Sequence, residues 1–237
     1  KEAAMSFKDR SEAGKKLAKA LKRYEGQNAV ILALPRGGVP VAAEVAAALH
    51  APLGLVLVRK IGVPRRPELA MGAVVDGRAP VIVRNEDVIQ HAGVDEAEFK
   101  HICDLELAEI ERRRRRYLGD RPPIDVKDRV TIVIDDGIAT GATTRAALRA
   151  TRARAPKTLV LAVPVASTEA LAEVGKEADD VICLEEHEYL GAIGFYYSDF
   201  RQTSDQEVIK DIARYSSDAK FEKATLGPRT GEGTRRH

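Results

Sequence analysis

The segment Val130-Thr-Ile-Val-Ile-Asp135-Asp136-Gly137-Ile-Ala-Thr140-Gly141-Ala-Thr143-Thr144-Arg145-Ala-Ala-Leu148 concentrates residues able to do chemistry. An apolar run ends in two adjacent carboxylates; a Gly- and Thr-rich turn follows, then a stretch of good helix formers. Small residues leave backbone N–H groups uncovered, and a helix start adds unpaired N–H groups and the positive end of its dipole, which together make an anion cradle. The hydroxyls of Thr140, Thr143 and Thr144 are further donors. The two carboxylates would repel a phosphate placed directly on them. They suit a neighbour that donates hydrogen bonds, such as sugar hydroxyls, or a metal ion. The pattern asks for a ligand with a phosphate at one end and a hydroxylated ring beside it. It is not a Walker A loop, because Gly137 and Gly141 stand one residue too close and no Lys follows, and it lacks the G-x-G-x-x-G dinucleotide fingerprint.

A second cluster is Leu34-Pro35-Arg36-Gly37-Gly38-Val39-Pro40. Its two glycines expose backbone N–H groups where a helix can open at Pro40, and Arg36 can grip a phosphate through two N–H groups at once. A third stretch, Val58 to Glu68, sets Arg59, Lys60, Arg65 and Arg66 among Gly and Pro residues. The run Arg112–Arg116 invites an RNA-binding reading. It closes a long helical pattern, where cations complement the carbonyl end of the dipole, and Glu109 stands four residues before Arg113; a solvated, ion-paired helix end is the expectation. None of the five histidines has a metal partner at helical spacing, so no protein-held metal site is expected.

The elements that must position these groups read as an alternation. Apolar runs Ala29–Leu34, Leu53–Val58, Val81–Val83, Val130–Ile134, Leu159–Val163 and Val181–Leu184 are continuous rather than alternating, as in strands covered on both faces. Helical periodicity fills Val39–Leu49, Thr143–Arg154 and Thr168–Glu177 between them. This order predicts a doubly wound, mainly parallel α/β sheet, whose ligands bind beyond the carboxyl ends of the strands. Asp9–Tyr24 predicts an N-terminal helix, Asp95–Leu118 a long helical excursion from the sheet, and Asp205–Tyr215 a terminal helix. The aromatic stretch His187–Arg201 carries Tyr189, Phe195, Tyr196, Tyr197 and Phe200, and residues 216–237 are expected to be a disordered tail.

The 237 residues are 44% hydrophobic and 31% charged, enough apolar content for a core. The formal net charge of +2 gives no chain-wide pull toward nucleic acid or membrane. No apolar run approaches a membrane span, and no signal-peptide pattern is visible. Two isolated cysteines, Cys103 and Cys183, read as reduced thiols, so a cytoplasmic location is the expectation.

Ile132-Val-Ile-Asp135-Asp136-Gly137-Ile-Ala-Thr140-Gly141-Ala-Thr143 resembles the phosphoribosyl pyrophosphate (PRPP) signature of type I phosphoribosyltransferases. The resemblance extends over the Arg36-Gly37-Gly38 turn, the stretch Pro67–Ala73 and the segment Asp199–Asp205. It points to a bacterial subgroup known only by the family's name, and covers about residues 6–215. It implies a core over residues 6–184 with a helical insertion at about 85–121, and a small C-terminal "hood" with the terminal helix over 185–215.

The resemblance also implies roles. Asp135 and Asp136 would hold the ribose 2- and 3-hydroxyls, and Gly137, Ala139, Thr140, Gly141, Ala142 and Thr143 would form the 5-phosphate loop. Arg36, Gly37 and Gly38 would bind pyrophosphate, in a loop that in the family often carries a non-proline cis peptide. A mobile loop after the second strand would close on PRPP, with Arg59 and Lys60 at its base touching pyrophosphate. Mg²⁺ would be held mainly by PRPP. In the hood, Glu188 would accept N–H groups of a nucleobase or other nitrogen acceptor and Tyr196 would stack on its ring, with Phe195, Tyr197 and Asp199 as alternatives. The implied activity is Mg-dependent phosphoribosyl transfer in nucleotide metabolism. Other readings of the same site are a non-catalytic PRPP or nucleotide sensor, and nucleotide phosphorolysis. A homodimer is an assembly the resemblance allows; neither membrane nor nucleic acid is an expected partner.

Overall fold

The computed structural model describes residues 6–77 and 80–215. The tail expected over 216–237 lies outside them. In chain order the elements are α1 (Arg10–Ala20), β1 (Ala29–Ala33), α2 (Gly38–Leu49), β2 (Leu53–Leu55), β3 (Val58–Val63), β4 (Arg66–Val75), β5 (Val81–Arg84), α3 (Glu86–Ala92), α4 (Glu96–Leu118), β6 (Val130–Ile134), α5 (Ala142–Arg152), β7 (Thr158–Ser167), α6 (Thr168–Gly175), β8 (Asp180–His187) and α7 (Asp205–Tyr215). Helix starts follow local chemistry. Asp9 caps α1, Asn85 caps α3, and Asp95 with Glu98 forms a capping box that starts α4.

Five strands form one parallel sheet in the order β2-β1-β6-β7-β8. β1 and β6 are buried along their whole length. Ile31, Ile132, Ile134 and Val160 face a core shared with α1, α2, α4 and α7. Val30, Leu32, Val133 and Leu161 face the other core, with Ala146, Ala147 and Leu148 of α5. Helices cover both faces, as the continuous apolar runs require. The chain turns outward from β1 in both directions, to β2 on one side and to β6 on the other. The crevice beyond the carboxyl ends of β1 and β6 is therefore the topological switch point.

Two expectations are corrected here. Val81–Val83 does not join the parallel sheet. It is β5, in a separate antiparallel sheet β3-β4-β5. The stretch from Val58 onward is not a loop either, since β3 and β4 form a hairpin with bulges at Gly62. Its glycines and prolines obscured the strand pattern; the bulges absorb them. The hairpin buries Ile61, Met71 and Val74 in the core that also receives Phe99, Cys103 and Ile110 from α4. The excursion from the main sheet thus contains strands as well as helices, and begins earlier than residue 85. β7 is also longer than Leu159–Val163, because its ladder with β8 passes over Pro164 and runs on to Ser167 opposite His187.

Asp76 staples the two sheets where the chain leaves β2. The Leu57 N–H donates to Asp76 Oδ1 at 2.7 Å, and the Asp76 N–H donates to the Leu57 carbonyl at 2.9 Å. Burial lifts this carboxyl from the ordinary 3.8 to about 6, against the lowering effect of the Leu57 N–H and the charges of Arg154 and Arg114. The folded state then holds the proton more tightly than the unfolded chain. The stabilisation is complete below pH about 4 and is lost as pH rises through about 6. Asp76→Asn retains an acceptor for the Leu57 N–H but cannot ionise. In denaturant titrations it is expected to match wild type near pH 4 and to be more stable by ~1–3 kcal/mol at pH 8. Parallel pH profiles for the two proteins would show that Asp76 is not the titrating group.

Candidate active site

β1 and β6 pair in register, Ala33 opposite Ile134, and the Leu34 N–H donates to the Ile134 carbonyl at 2.9 Å. The turns that follow the two strands therefore emerge side by side. The Arg36-Gly37-Gly38 turn lies against Asp135 and Asp136. A methyl group at Gly38 would sit 2.7 Å from the Ile134 carbonyl oxygen, and one at Gly37 would overlap the Asp136 carboxylate. Only glycine lets the turns meet this closely. The peptide between Pro35 and Arg36 is cis, at the place where the resemblance puts such a bond.

The helices after these turns start differently from the others. Side chains of Asp9, Asn85, Asp95 and Ser167 cap α1, α3, α4 and α6, and Ser204 Oγ accepts the Glu207 N–H at the start of α7. The starts of α2 and α5 have no side-chain cap; their N-cap residues are Gly37 and Gly141. Gly141 has φ +76°, which a side chain would strain, and a methyl group there would strike Val174. Two neighbouring helix starts without side-chain caps face the switch point, the arrangement that favours anions; in α2 the Gly38 and Val39 N–H groups donate to the Leu34 and Arg36 carbonyls at 3.0 and 3.2 Å. Ala139, Thr140, Ala142 and Thr143 are exposed or partly so, whereas Thr144 is buried. The loop is anchored from below: the Ile138 N–H donates to the Val165 carbonyl and Ser167 Oγ to the Ala139 carbonyl, both at 2.9 Å.

The two acids are not equivalent. Asp135 accepts the Asp136 N–H on Oδ1 at 2.9 Å, and burial, then the Asp136 charge, hold its carboxyl well above the usual range. Asp136 is only 9% exposed and is ion-paired with Arg10, Nε to Oδ2 at 2.7 Å. The Tyr197 hydroxyl donates to the Asp136 carbonyl oxygen at 2.7 Å. Arg36 reaches across to Asp205 at 3.5 Å, and Asp205 also accepts the Tyr117 hydroxyl at 2.7 Å and pairs with Arg116 at 2.8 Å. The inserted helix α4 thus meets the site through Asp205. Among the described residues no group of three or more His, Cys, Asp or Glu is placed to hold a metal.

Other expected residues lie elsewhere. Arg59 and Lys60 are on strand β3, not at the base of a loop. Arg59 pairs with Glu106 of α4 at 2.6 Å, and Lys60 with Glu68 at 3.5 Å. Arg65 and Arg66 are exposed at the hairpin tip. A cleft of about 580 Å³ between that tip and α3 shares no residue with the acid pair. In the hood, Glu188 is exposed, and the Tyr196 ring lies 4.5 Å from that of His187. Tyr197, weighed as a stacking surface, is 2% exposed and packs against Phe7 and Phe200. Ile193 sits over Gly137, which brings the hood onto the acid-pair turn. The arginines of 112–116 each have a carboxylate partner: Glu109, Glu111 or Asp205.

Sequence reasoning missed Arg10 and Asp205 as members of this site, and read Tyr197 as a ring-stacking alternative rather than as the hydroxyl donor to the Asp136 carbonyl. Arg10 had a signal. It opens a helix, where the dipole favours acids, so a cation there needs a carboxylate from outside the helix.

The parallel sheet, with two glycine-lined turns and an acid pair at its switch point, places the chain among α/β proteins with a crevice beyond the strand ends. Residues 7–199 match the phosphoribosyl transferase domain family, to which the chain belongs. It is 43% identical over 212 residues to proteins from Mycobacterium tuberculosis strains CDC 1551 and H37Rv, each named "putative phosphoribosyl transferase". The alignment covers 90% of this chain, and the chain spans about half (47%) of the length of these curated relatives. The crystal structure of TT1426 from Thermus thermophilus is 37% identical, with a TM-score of 0.78 over 90% of this chain and 100% of that one. No helix among the described residues is long and apolar enough to cross a membrane.

The Gly37–Asp136 contact has a measurable consequence. Gly37→Ala is expected to destabilise the protein by ~1–3 kcal/mol in denaturant titrations, because the added methyl must displace a buried, ion-paired carboxylate. Wild-type stability in that variant would contradict the packing of the two turns.

Proposed function

We propose that the chain transfers the 5-phosphoribosyl group of PRPP to a nitrogen of a small acceptor, a nucleobase being the best candidate, with release of pyrophosphate. The observation that carries this reading is the Asp135–Asp136 pair set before the loop and uncapped start of α5, with Arg36 and the uncapped start of α2 in the turn after the adjacent strand. A sugar bearing phosphate at one end and pyrophosphate at the other matches both turns. The 5-phosphate takes N–H groups and hydroxyls of residues 139–143, and the ribose diol donates to the acid pair. The pyrophosphate lies against the Gly37–Gly38 turn and takes the Gly37 N–H and Arg36, which leaves Asp205 for it. Magnesium is part of the substrate, held by pyrophosphate and ribose oxygens.

In the reaction the C1–oxygen bond breaks and pyrophosphate leaves with the electron pair. The acceptor nitrogen forms the new bond to C1 and loses its proton. Positive charge grows on the ribose ring and negative charge on the leaving group. The acid pair stabilises the first through the hydroxyls it holds; Arg36 and the backbone N–H groups stabilise the second. Catalysis is then positioning and preorganised electrostatics, with no covalent intermediate. The hood covers the acceptor side, where Glu188 and Tyr196 are the proposed contacts. The chemistry belongs to nucleotide metabolism in the cytoplasm.

Calorimetry with PRPP and Mg²⁺ tests the site. The double variant Asp135→Asn/Asp136→Asn is expected to bind at least ~100-fold more weakly, about 2.7 kcal/mol, while remaining folded. Equal affinity would remove the acid pair from the site. PRPP consumption across a panel of nucleobases and amines then identifies the acceptor; binding without turnover on any of them would favour a sensor.

A further inference from the structure

We propose that Arg10, from the N-terminal helix, is a positioning residue that sets a cation against the acid pair, lowers the cost of charging it, and ties that pair to the hood. The consequence for PRPP rests on the transferase reading above; the consequence for the carboxyls does not.

Two adjacent carboxylates in a low-dielectric turn cannot both ionise cheaply, because each raises the cost of the other. A cation in contact with one of them relieves that cost. Arg10 is so placed, Nε 2.7 Å from Asp136 Oδ2, with the two side chains only 11% and 12% exposed. The guanidinium is held on its other sides. Nη1 donates to the Arg201 carbonyl at 2.8 Å, and the group lies 3.9 Å from the Phe200 ring centre and 6.0 Å from that of Tyr197. Phe200, Tyr197 and Arg201 all belong to the hood segment. One side chain therefore bridges the sugar-binding acids and the element proposed to cover the acceptor. Gly37 lies against the same carboxylate, where a methyl group would overlap Oδ2.

The other charged groups around the pair are engaged elsewhere. On α1, Asp9 accepts the Glu12 N–H as a cap. On the β1–α2 turn, Arg36 reaches Asp205. In the hood, Tyr197 donates to the Asp136 backbone, and the Arg201 guanidinium pairs with Glu207 and Asp199. On β8, Glu185 lies 3.5 Å from His187. Within the turn itself, Asp135 is the like charge that Arg10 must offset; Arg10 lowers the Asp135 carboxyl, which burial and Asp136 raise. With Arg10 in place, a cation stands against the pair before the ligand arrives, and the hydroxyl donors of an incoming diol further favour the charged form of Asp135. Both acids are then available when positive charge develops on the ring.

The test is a carboxyl ¹³C NMR titration of the full chain labelled at Asp, in wild type, Arg10→Met, Arg10→Gln and Arg10→Lys, paired with calorimetry of PRPP and Mg²⁺ binding from pH 6 to pH 9. In Met and Gln variants the titration of the acid pair is expected to move up by about one pH unit or more, and Lys is expected to stay near wild type. PRPP affinity of the Met variant is expected to fall ~10-fold or more at the acid end of that range and to recover toward wild type as pH rises. A merely structural Arg10 would lower stability, or affinity at every pH, without moving the titration. Folded Met or Gln variants with unshifted carboxyls would overturn the proposal, and Gln, which retains an N–H donor, carries the test should Met fail to fold. Wild type that binds no PRPP at any pH would overturn the transferase reading, and the titration alone would then decide Arg10.

Discussion

The site depends on one geometric constraint. β1 and β6 are neighbours in a parallel sheet and pair in register to their last residues, so their turns leave the sheet at the same height and touch. Contact at that distance is possible because Gly37 and Gly38 present no side chain to Asp135 and Asp136. Two helix starts, one acid pair and one arginine converge without any long loop having to be ordered. The preorganisation is inherited from the sheet.

The rest of the chain braces this seam from two directions. From one side α1 brings Arg10 to Asp136, and the hood lays Tyr197 and Ile193 over the same turn. From the other, Asp205 gathers Arg36, Arg116 and Tyr117, so the inserted helix α4 and the terminal helix α7 meet the Arg36 turn through one carboxylate. Both contacts set a cation against a carboxylate at the edge of the crevice. Tyr117, Arg116 and Arg36 hold the Asp205 carboxyl below the usual range, which keeps that hub charged.

The parallel sheet was legible because strands covered on both faces read as unbroken apolar runs, and β1 and β6 match their runs closely. The acid pair and its loop were legible because residue type and order carry the chemistry. The inserted strands were not. Gly62, Pro64 and Pro67 sit at bulges and a hairpin tip, and such residues break the alternation by which an antiparallel pair is recognised. Arg59 and Lys60 read as loop cations for that reason, whereas the strand points them to Glu106 and Glu68. Long-range partners were equally hidden. Nothing local to Asp136 names Arg10, 126 residues away. A cation in the first turn of a helix was the trace it left.

The central claim is that the turn after β6 grips a phosphorylated sugar, with acids on the ring and amides on the phosphate. A crystal structure of the protein with PRPP and Mg²⁺ tests it most directly. Expected are the 5-phosphate within hydrogen-bond distance of the N–H groups of residues 139–143 and a ribose hydroxyl on Asp135. PRPP bound elsewhere with that loop empty, or Asp135 turned away from the sugar, would contradict it.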